Sequence, residues 1–325
     1  MTINALAKPP GTWADYLALA RPDHWVKHVF IVPGIALAWV LHGGRPEDLV
    51  APVVLGFASA ALIASANYVI NEWLDAPDDA FHPTKSRRPA VAKALSPAVV
   101  YGEYVGLAVA GLALALAVSR LFFLTSLLFL LSGLAYNVRP LRTKERVFLD
   151  VLSESLNNPI RLTLGWAMVD STTLPPSSLL IAYWMGGAFL MASKRLAEYR
   201  SAREAGVLAS LARYRRSFRH YRENSLLLSA FLYAQMAAFF LAVFLIKYRI
   251  EYLLSLPFFA ALFVSYLRVA LKPESSAQTP ERLFRERALM GLVALLAVAL
   301  VVLTWIDIPI LEQLTSPHYI ELVLD

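Results

Sequence analysis

Cysteine is absent from the 325-residue chain. That excludes disulfides, zinc–cysteine sites, iron–sulfur clusters and thiol catalysis, and leaves the compartment open. Charge is scarce as well, with Asp, Glu, Lys and Arg at 17% against about a quarter in an ordinary soluble domain. No low-complexity tract and no obvious internal repeat interrupts the chain. The first 24 residues contain no apolar core followed by a small-residue cleavage site, which argues against a cleavable signal peptide. Hydrophobic residues, by contrast, make up 58%. This balance argues against a soluble single core, and equally against a disordered or fibrous chain.

Apolar stretches long enough for a bilayer recur from end to end. They fall at 25–42, 50–71, 98–118, 121–138, 147–169, 177–193, 224–246, 253–271 and 287–306. The reading is an all-α, polytopic helical bundle of about nine transmembrane helices around a central cavity. Residues 1–24 form an N-terminal segment, 25–306 a single transmembrane domain and 307–325 a tail. Within the first segment, 12–22 reads as a short amphipathic helix on the membrane surface.

The basic residues test this topology. With the N-terminus in the cytoplasm, 25 of the 30 Lys and Arg fall in inside-facing segments and four in outside-facing ones, while Arg161 lies within a span. That asymmetry follows the positive-inside rule and supports nine spans with the C-terminus outside. It also accounts for the net charge of +6 without nucleic acid as a partner. An integral plasma (inner) membrane protein with an inward-facing site is the expectation.

Polar residues inside such a bundle need a reason. In the second span Asn67, Asn71, Asp75 and Asp79 recur every fourth residue, near one helix face. Pro77 predicts that the helix weakens before Asp79. Two carboxylates and an amide oxygen are hard ligands that suit Mg2+, which uses one or two carboxylates and completes its shell with water and substrate phosphates. A hydrated helix end is the plainer alternative. His82, Lys85, Arg87 and Arg88 follow at once, either as ordinary inside cations or as binders of a phosphate or diphosphate.

A second group begins at the inner end of the fourth span. Tyr136, Arg139, Arg142 and Lys144 crowd a loop, and Asp150, Glu154, Asn157, Asn158 and Arg161 follow along one expected helix. A buried structural network and a substrate cavity are equally compatible with it. The third group is KRLAEYR at 194–200, where Lys194 and Glu198 are spaced four apart, as are Arg195 and Tyr199. An interfacial ion pair is the simple reading. The basic segment that follows to 223 suits anionic lipid head groups, or the cap of a site that draws in a polyanion.

Asn71, Asp75 and Asp79 match the Asn-x3-Asp-x3-Asp motif, and with it the chain resembles the UbiA superfamily of intramembrane transferases. The resemblance covers roughly 18–305. It implies nine helices around a cavity, Mg2+ and a diphosphate at the cytoplasmic mouth, and a polyprenyl chain admitted from the bilayer. Most UbiA prenyltransferases carry a second Asp-rich motif after the sixth span. KRLAEYR stands there instead and is similar to the Lys-Arg-x-Ala-Glu segment of the decaprenyl-phosphate phosphoribosyltransferase branch. RPDHWVKH at 21–28, HPTKSRRP at 82–89 and PERLFRER at 280–287 resemble that branch too. Glu72, where the branch often has Asp, and the acidic, amide-rich stretch 150–166 depart from it.

The resemblance implies Mg2+-dependent transfer of 5-phosphoribosyl from its diphosphate to a polyprenyl phosphate. Asn71, Asp75 and Asp79 would hold the metal, and Lys85 and Arg88 would neutralise the diphosphate. Lys27, Arg142 and Tyr136 would grip phosphates, and Lys194 and Glu198 the sugar. Asn67, Asp150, Glu154 and Asn158 complete the candidate substrate residues. Two alternatives remain: a prenyltransferase moving a prenyl group from a prenyl diphosphate to an aromatic or other acceptor, and a non-catalytic transporter or scaffold.

Overall fold

The computed structural model describes residues 8–42, 49–82, 84–273, 275–278 and 280–315. Arg45, Pro83 and the last ten residues of the expected tail lie outside them, as do the side chains of 280–282 in PERLFRER.

The described residues form helices and no strand, apart from one isolated pairing of Pro10 with Ala94. The α-helices run α1 Trp13–Leu19, α2 Val32–His42, α3 Val50–Asp79, α4 Pro89–Ala92, α5 Pro97–Val118, α6 Arg120–Asn137 and α7 Leu149–Ser155. They continue with α8 Asn157–Val169, α9 Ser177–Glu204, α10 Leu208–Tyr214, α11 Glu223–Tyr248, α12 Leu256–Ala270, α13 Arg287–Trp305 and α14 Pro309–Thr315. A tight 3-10 stretch, Pro22–Ile31, leads into α2.

Local chemistry sets the ends. Thr12 closes α1 with a capping box: its backbone N–H donates to Asp15 at 2.8 Å, and its hydroxyl accepts from the Asp15 N–H at 3.4 Å. Trp13 and Leu17 point outward from this helix, 79% and 69% exposed. The Ser119 hydroxyl accepts from the Phe122 N–H at 3.1 Å and starts α6.

Seven helices are long and apolar enough to cross a membrane, by length and composition, among the described residues. The other two expected spans are helical but fall short of that measure. One, 149–169, is split into α7 and α8, and α9 carries the charges of KRLAEYR along its C-terminal half. Their crossing, and so the count of nine, remains a proposal.

Two expectations are corrected. The second-span helix does not stop near Pro77; it runs through it to Asp79. Proline removes one N–H, yet ion pairs from Asp75, Asp78 and Asp79 to distant cations hold the last turn. Asp150 to Arg161 do not share one helix. The chain breaks at Leu156, where Pro159 cannot donate to the Ser155 carbonyl. Arg161, seven residues past Glu154 and eleven past Asp150, lies about 10 Å or more along the chain axis from either acid.

Packing divides into an N-terminal cluster around Ile63, Phe122, Phe129 and Leu164 and a C-terminal one around Phe189, Tyr233 and Tyr266. Helices α2 and α8 touch backbone to backbone. A Cβ on Gly34 would lie 2.0 Å from the Leu162 carbonyl oxygen, and one on Gly165 2.1 Å from that of Ile31. Glycine is required there because close helix approach in a membrane depends on small residues. The C-terminal ends of α3 and α9 and the start of α7 meet the loops 80–88, 138–148 and 215–222 at one end of the bundle, where the polar residues collect.

Candidate active site

Helix α3 delivers Asn71, Asp75, Asp78 and Asp79 to this mouth. Asp79 is nearly buried, and its carboxylate accepts from Arg88 at 2.6 Å, with Lys85 at 3.6 Å. Arg88 also faces buried Glu72 at 3.9 Å. Asp75 is more accessible. One oxygen meets Lys144 and, at 3.1 Å, Arg142; the other accepts from the Asn71 amide at 3.4 Å. Arg142 reaches Asp78 at 3.1 Å. Lys144 donates to the Asn137 Oδ1 at 2.7 Å, and the Asn71 amide bonds the same oxygen.

The backbone is strained at this point: Arg142 has φ +30° and Phe148 φ +61°, left-handed conformations costly for side-chain-bearing residues. The strain aims Arg142 back across the loop at α3. Burial lowers the Lys144 ammonium from its ordinary value, while Asp75 opposes the shift.

The second and third sequence groups converge on one cation. Arg195, 1% exposed, donates to Asp150 at 3.3 Å, Glu154 at 2.7 Å and Glu198 at 3.3 Å. Asp150 is fully buried and also accepts from Ser217 at 3.1 Å and Tyr221 at 2.5 Å. It anchors Arg195 to the loop after α10. Glu154 accepts from the Tyr136 hydroxyl at 2.9 Å, and Arg215 stands 3.9 Å from Glu198. The expected i,i+4 pairs of α9 are therefore corrected: Glu198 pairs with Arg195, one turn back, and not with Lys194. Full burial of Arg195 forces it to gather every nearby carboxylate.

Lys194 has no carboxylate within ion-pair distance among the described residues, although Glu198, Glu154 and Lys27 lie within electrostatic reach. Lys27 sits 5.7 Å over the Tyr68 ring and 2.9 Å from the His24 imidazole. Lys27 and Lys194 thus lie within electrostatic reach of each other, and two like charges at that range raise the local affinity for an anion.

The loop after α3 closes the ring of charge. His82 packs on Tyr214 with centroids 4.4 Å apart, Lys85 lies 5.7 Å over the same ring and Arg213 lies 3.7 Å over Phe81. Burial and neighbouring Arg215 push Lys85 down to about 8. Its ammonium is mostly present at pH 7 and is lost as pH rises through 8. Anion binding that uses Lys85 should therefore weaken between pH 7 and 9. A titration of the apparent KM for the diphosphate donor checks this, with Lys85→Arg expected to flatten the alkaline rise.

Two candidates stand elsewhere. Asn67 donates to the Phe129 carbonyl at 3.0 Å and fills the space opposite Gly133. Asn158 occupies the space left by Gly187. Both fit between helices. Sequence reasoning did not select Asp78, Glu72, Lys144, Arg195 or Arg215 for the site. Asp78 was signalled by its place between Asp75 and Asp79; Glu72, Lys144 and Arg215 pair over distances that no local spacing encodes, and Arg195, one turn from Glu198, takes Asp150 and Glu154 from far along the chain. A cleft of about 450 Å³ adjoins the ring at Arg142, lined also by Arg139, Arg146, Arg216 and Arg219. Such a basic vestibule concentrates polyanions.

No group of three or more His, Asp or Glu side chains forms a ready-made cage among the described residues. Asn71, Asp75 and Asp79 instead offer the few oxygen ligands that Mg2+ takes when phosphates and water supply the rest. The donor set fits that metal.

A helical membrane bundle with acidic and basic side chains gathered at one mouth is the arrangement expected of a multi-pass intramembrane transferase. The UbiA prenyltransferase family model matches residues 30–286, and the chain belongs to that family. It is 30% identical over 212 residues to the decaprenyl-phosphate phosphoribosyltransferase of Mycobacterium tuberculosis, covering 64% of this chain and 68% of that one. It is likewise 30% identical over 195 residues to the nodulation protein NoeC of Azorhizobium caulinodans, covering 59% and 60%. A solved UbiA homolog from Archaeoglobus fulgidus, bound to GPP and Mg2+, superposes with TM-score 0.66 at 21% identity, covering 90% of this chain and all of that one.

Proposed function

We propose that the protein is a Mg2+-dependent transferase that moves 5-phosphoribosyl from phosphoribosyl diphosphate to a polyprenyl phosphate. A lipid phosphate oxygen forms the bond to the anomeric carbon, and the bond from that carbon to the diphosphate breaks. Diphosphate leaves with both electrons of that bond. The lipid phosphate is already anionic at neutral pH, so no strong general base is needed. Bound Mg2+ would offset charge on the leaving diphosphate, held by Asn71, Asp75 and Asp79. Lys85 and Arg88 flank that position, and Lys27, Arg142 and Lys144 extend it.

The observation that carries the reading is on α9. Most UbiA prenyltransferases use a second Asp-rich motif there. Here the helix carries Lys194, without a carboxylate in ion-pair distance among the described residues and within electrostatic reach of Lys27, and its Glu198 is turned to Arg195. A cation in that place suits a donor with a further phosphate. The decaprenyl-phosphate phosphoribosyltransferase relatives support the same direction. The proposal includes a single transferase domain over 25–306, a cytoplasmic N-terminus and a site facing the cytoplasm.

Incubation with Mg2+ and each labelled donor separates this from prenyl transfer. Label from phosphoribosyl diphosphate should enter the lipid phase with a polyprenyl phosphate acceptor; label entering an aromatic acceptor from a prenyl diphosphate would reverse the assignment. Lys194→Ala should raise the apparent KM for phosphoribosyl diphosphate about tenfold, a loss of about 1.4 kcal/mol. A rise confined to the lipid KM would remove the sugar-side role from Lys194.

A further inference from the structure

Deeper in the bundle, Arg161 is a cation without a counterion. It is 7% exposed, and among the described residues no carboxylate lies within ion-pair distance. Its Nε has no hydrogen-bond partner. Its guanidinium lies 5.2 Å over the Phe129 ring, with Tyr68 of α3 and Tyr183 of α9 within electrostatic reach. His28, 6% exposed and close enough to feel its charge, has no partner on either ring nitrogen. The Oδ1 of Asn67, next to Tyr68, is also unpartnered.

Arg195 makes the contrast. It is as deeply buried and holds three carboxylates. A buried charge left uncompensated costs several kcal/mol, and an ionisable residue within a membrane span marks a site. Two buried donor-bearing side chains on different segments, both unsatisfied, point to an anion that arrives from outside the chain.

Position restricts that anion. Tyr68 lies seven residues before Asp75 on one continuous helix, about 10 Å toward the bilayer centre at 1.5 Å per residue. Ile31, Ile160 and Leu164 belong to the apolar cluster at this level. A wholly polar donor would have to shed its water to reach it, whereas a phosphate on an isoprenoid chain carries its own apolar body. Lys27, over the same Tyr68 ring from the cytoplasmic side, joins this level to the ring of charge above.

We propose that Arg161, with Tyr68, Tyr183 and His28, forms a second anion site that takes the monophosphate head of a single-chain isoprenoid lipid. The assignment of that lipid as the acceptor rests on the function proposed above. Arg161 then neutralises the lipid phosphate beneath the donor, and keeps two polyanions apart that would otherwise compete for the same cations.

The test uses the full chain in detergent with farnesyl phosphate, farnesol, farnesyl diphosphate and phosphoribosyl diphosphate as separate probes. The wild type should bind farnesyl phosphate more tightly than farnesol. Arg161→Gln should weaken farnesyl phosphate binding about tenfold, about 1.4 kcal/mol, and leave farnesol and phosphoribosyl diphosphate unchanged. Unchanged farnesyl phosphate binding in Arg161→Gln overturns the site, as does a loss confined to phosphoribosyl diphosphate. Arg161-dependent preference for farnesyl diphosphate overturns the monophosphate assignment. Should Arg161→Gln fail to fold, Tyr183→Phe and His28→Ala take its place, with weaker farnesyl phosphate binding expected and wild-type binding in both overturning the site. Phosphoribosyl transfer with an unaltered lipid KM in Arg161→Gln removes this site and leaves the proposed function. Arg161-dependent farnesyl phosphate binding without any phosphoribosyl transfer does the reverse.

Discussion

Asp75→Asn is expected to abolish turnover in a protein that still inserts and folds. The substitution keeps the shape of the side chain and removes its charge. In the structure that charge is shared between Lys144 and Arg142, and the side chain remains 19% exposed. Asp79 is only 4% exposed and is committed to Arg88. Asp75 is therefore the carboxylate best placed to exchange a cationic side chain for Mg2+ and a diphosphate. Loss of one preorganised electrostatic contact to a leaving group costs about 10²–10³ in rate, and loss of a metal ligand should cost at least as much. Turnover with saturating Mg2+ and donor measures the effect, and monodisperse elution with wild-type helical content checks the fold. Full turnover in the folded variant would sink the metal assignment.

Arg195→Met should act on the fold itself. It leaves Asp150, Glu154 and Glu198 without the cation that joins α7 to α9. Breaking a buried network from one side costs about 3–5 kcal/mol. A large fall in the thermal midpoint in detergent is expected. Arg195→Lys should recover only part of it, because a single ammonium cannot fork to three carboxylates. A midpoint within a degree of wild type in Arg195→Met would show that Ser217, Tyr221 and Tyr136 carry the carboxylates alone.

Much of the architecture was legible before any coordinates. Most apolar runs became helices with ends within a few residues; α3 and α9 run on past their expected C-terminal ends, 25–42 opens in the 3-10 stretch before α2, and 147–169 is split into α7 and α8. The spacing of Asn71, Asp75 and Asp79 put them on one helix at the inner end. KRLAEYR and HPTKSRRP marked the other walls of the same mouth. Local reasoning failed where a partner lay far along the chain. Lys194 and Glu198 stand at ideal helical spacing, yet a buried Arg195 takes Glu198 because low-dielectric burial outweighs a surface i,i+4 pair. Arg161 was grouped with Asp150 and Glu154, yet it sits about two to three turns further along, where no carboxylate reaches it among the described residues.

The sequence by itself determined a multi-pass helical membrane protein of the UbiA kind, with oxygen ligands suited to Mg2+. Periodicity, apolar length and a three-residue motif are local properties, and a chain shows them without folding. The tertiary structure alone decided which cation meets which carboxylate. Lys144 reaches Asp75 across 69 residues, and Arg195 reaches Asp150 across 45. It also decided which cations are left over. Lys194 at the mouth and Arg161 beneath it lack carboxylate partners among the described residues, because every nearby acid is already held elsewhere.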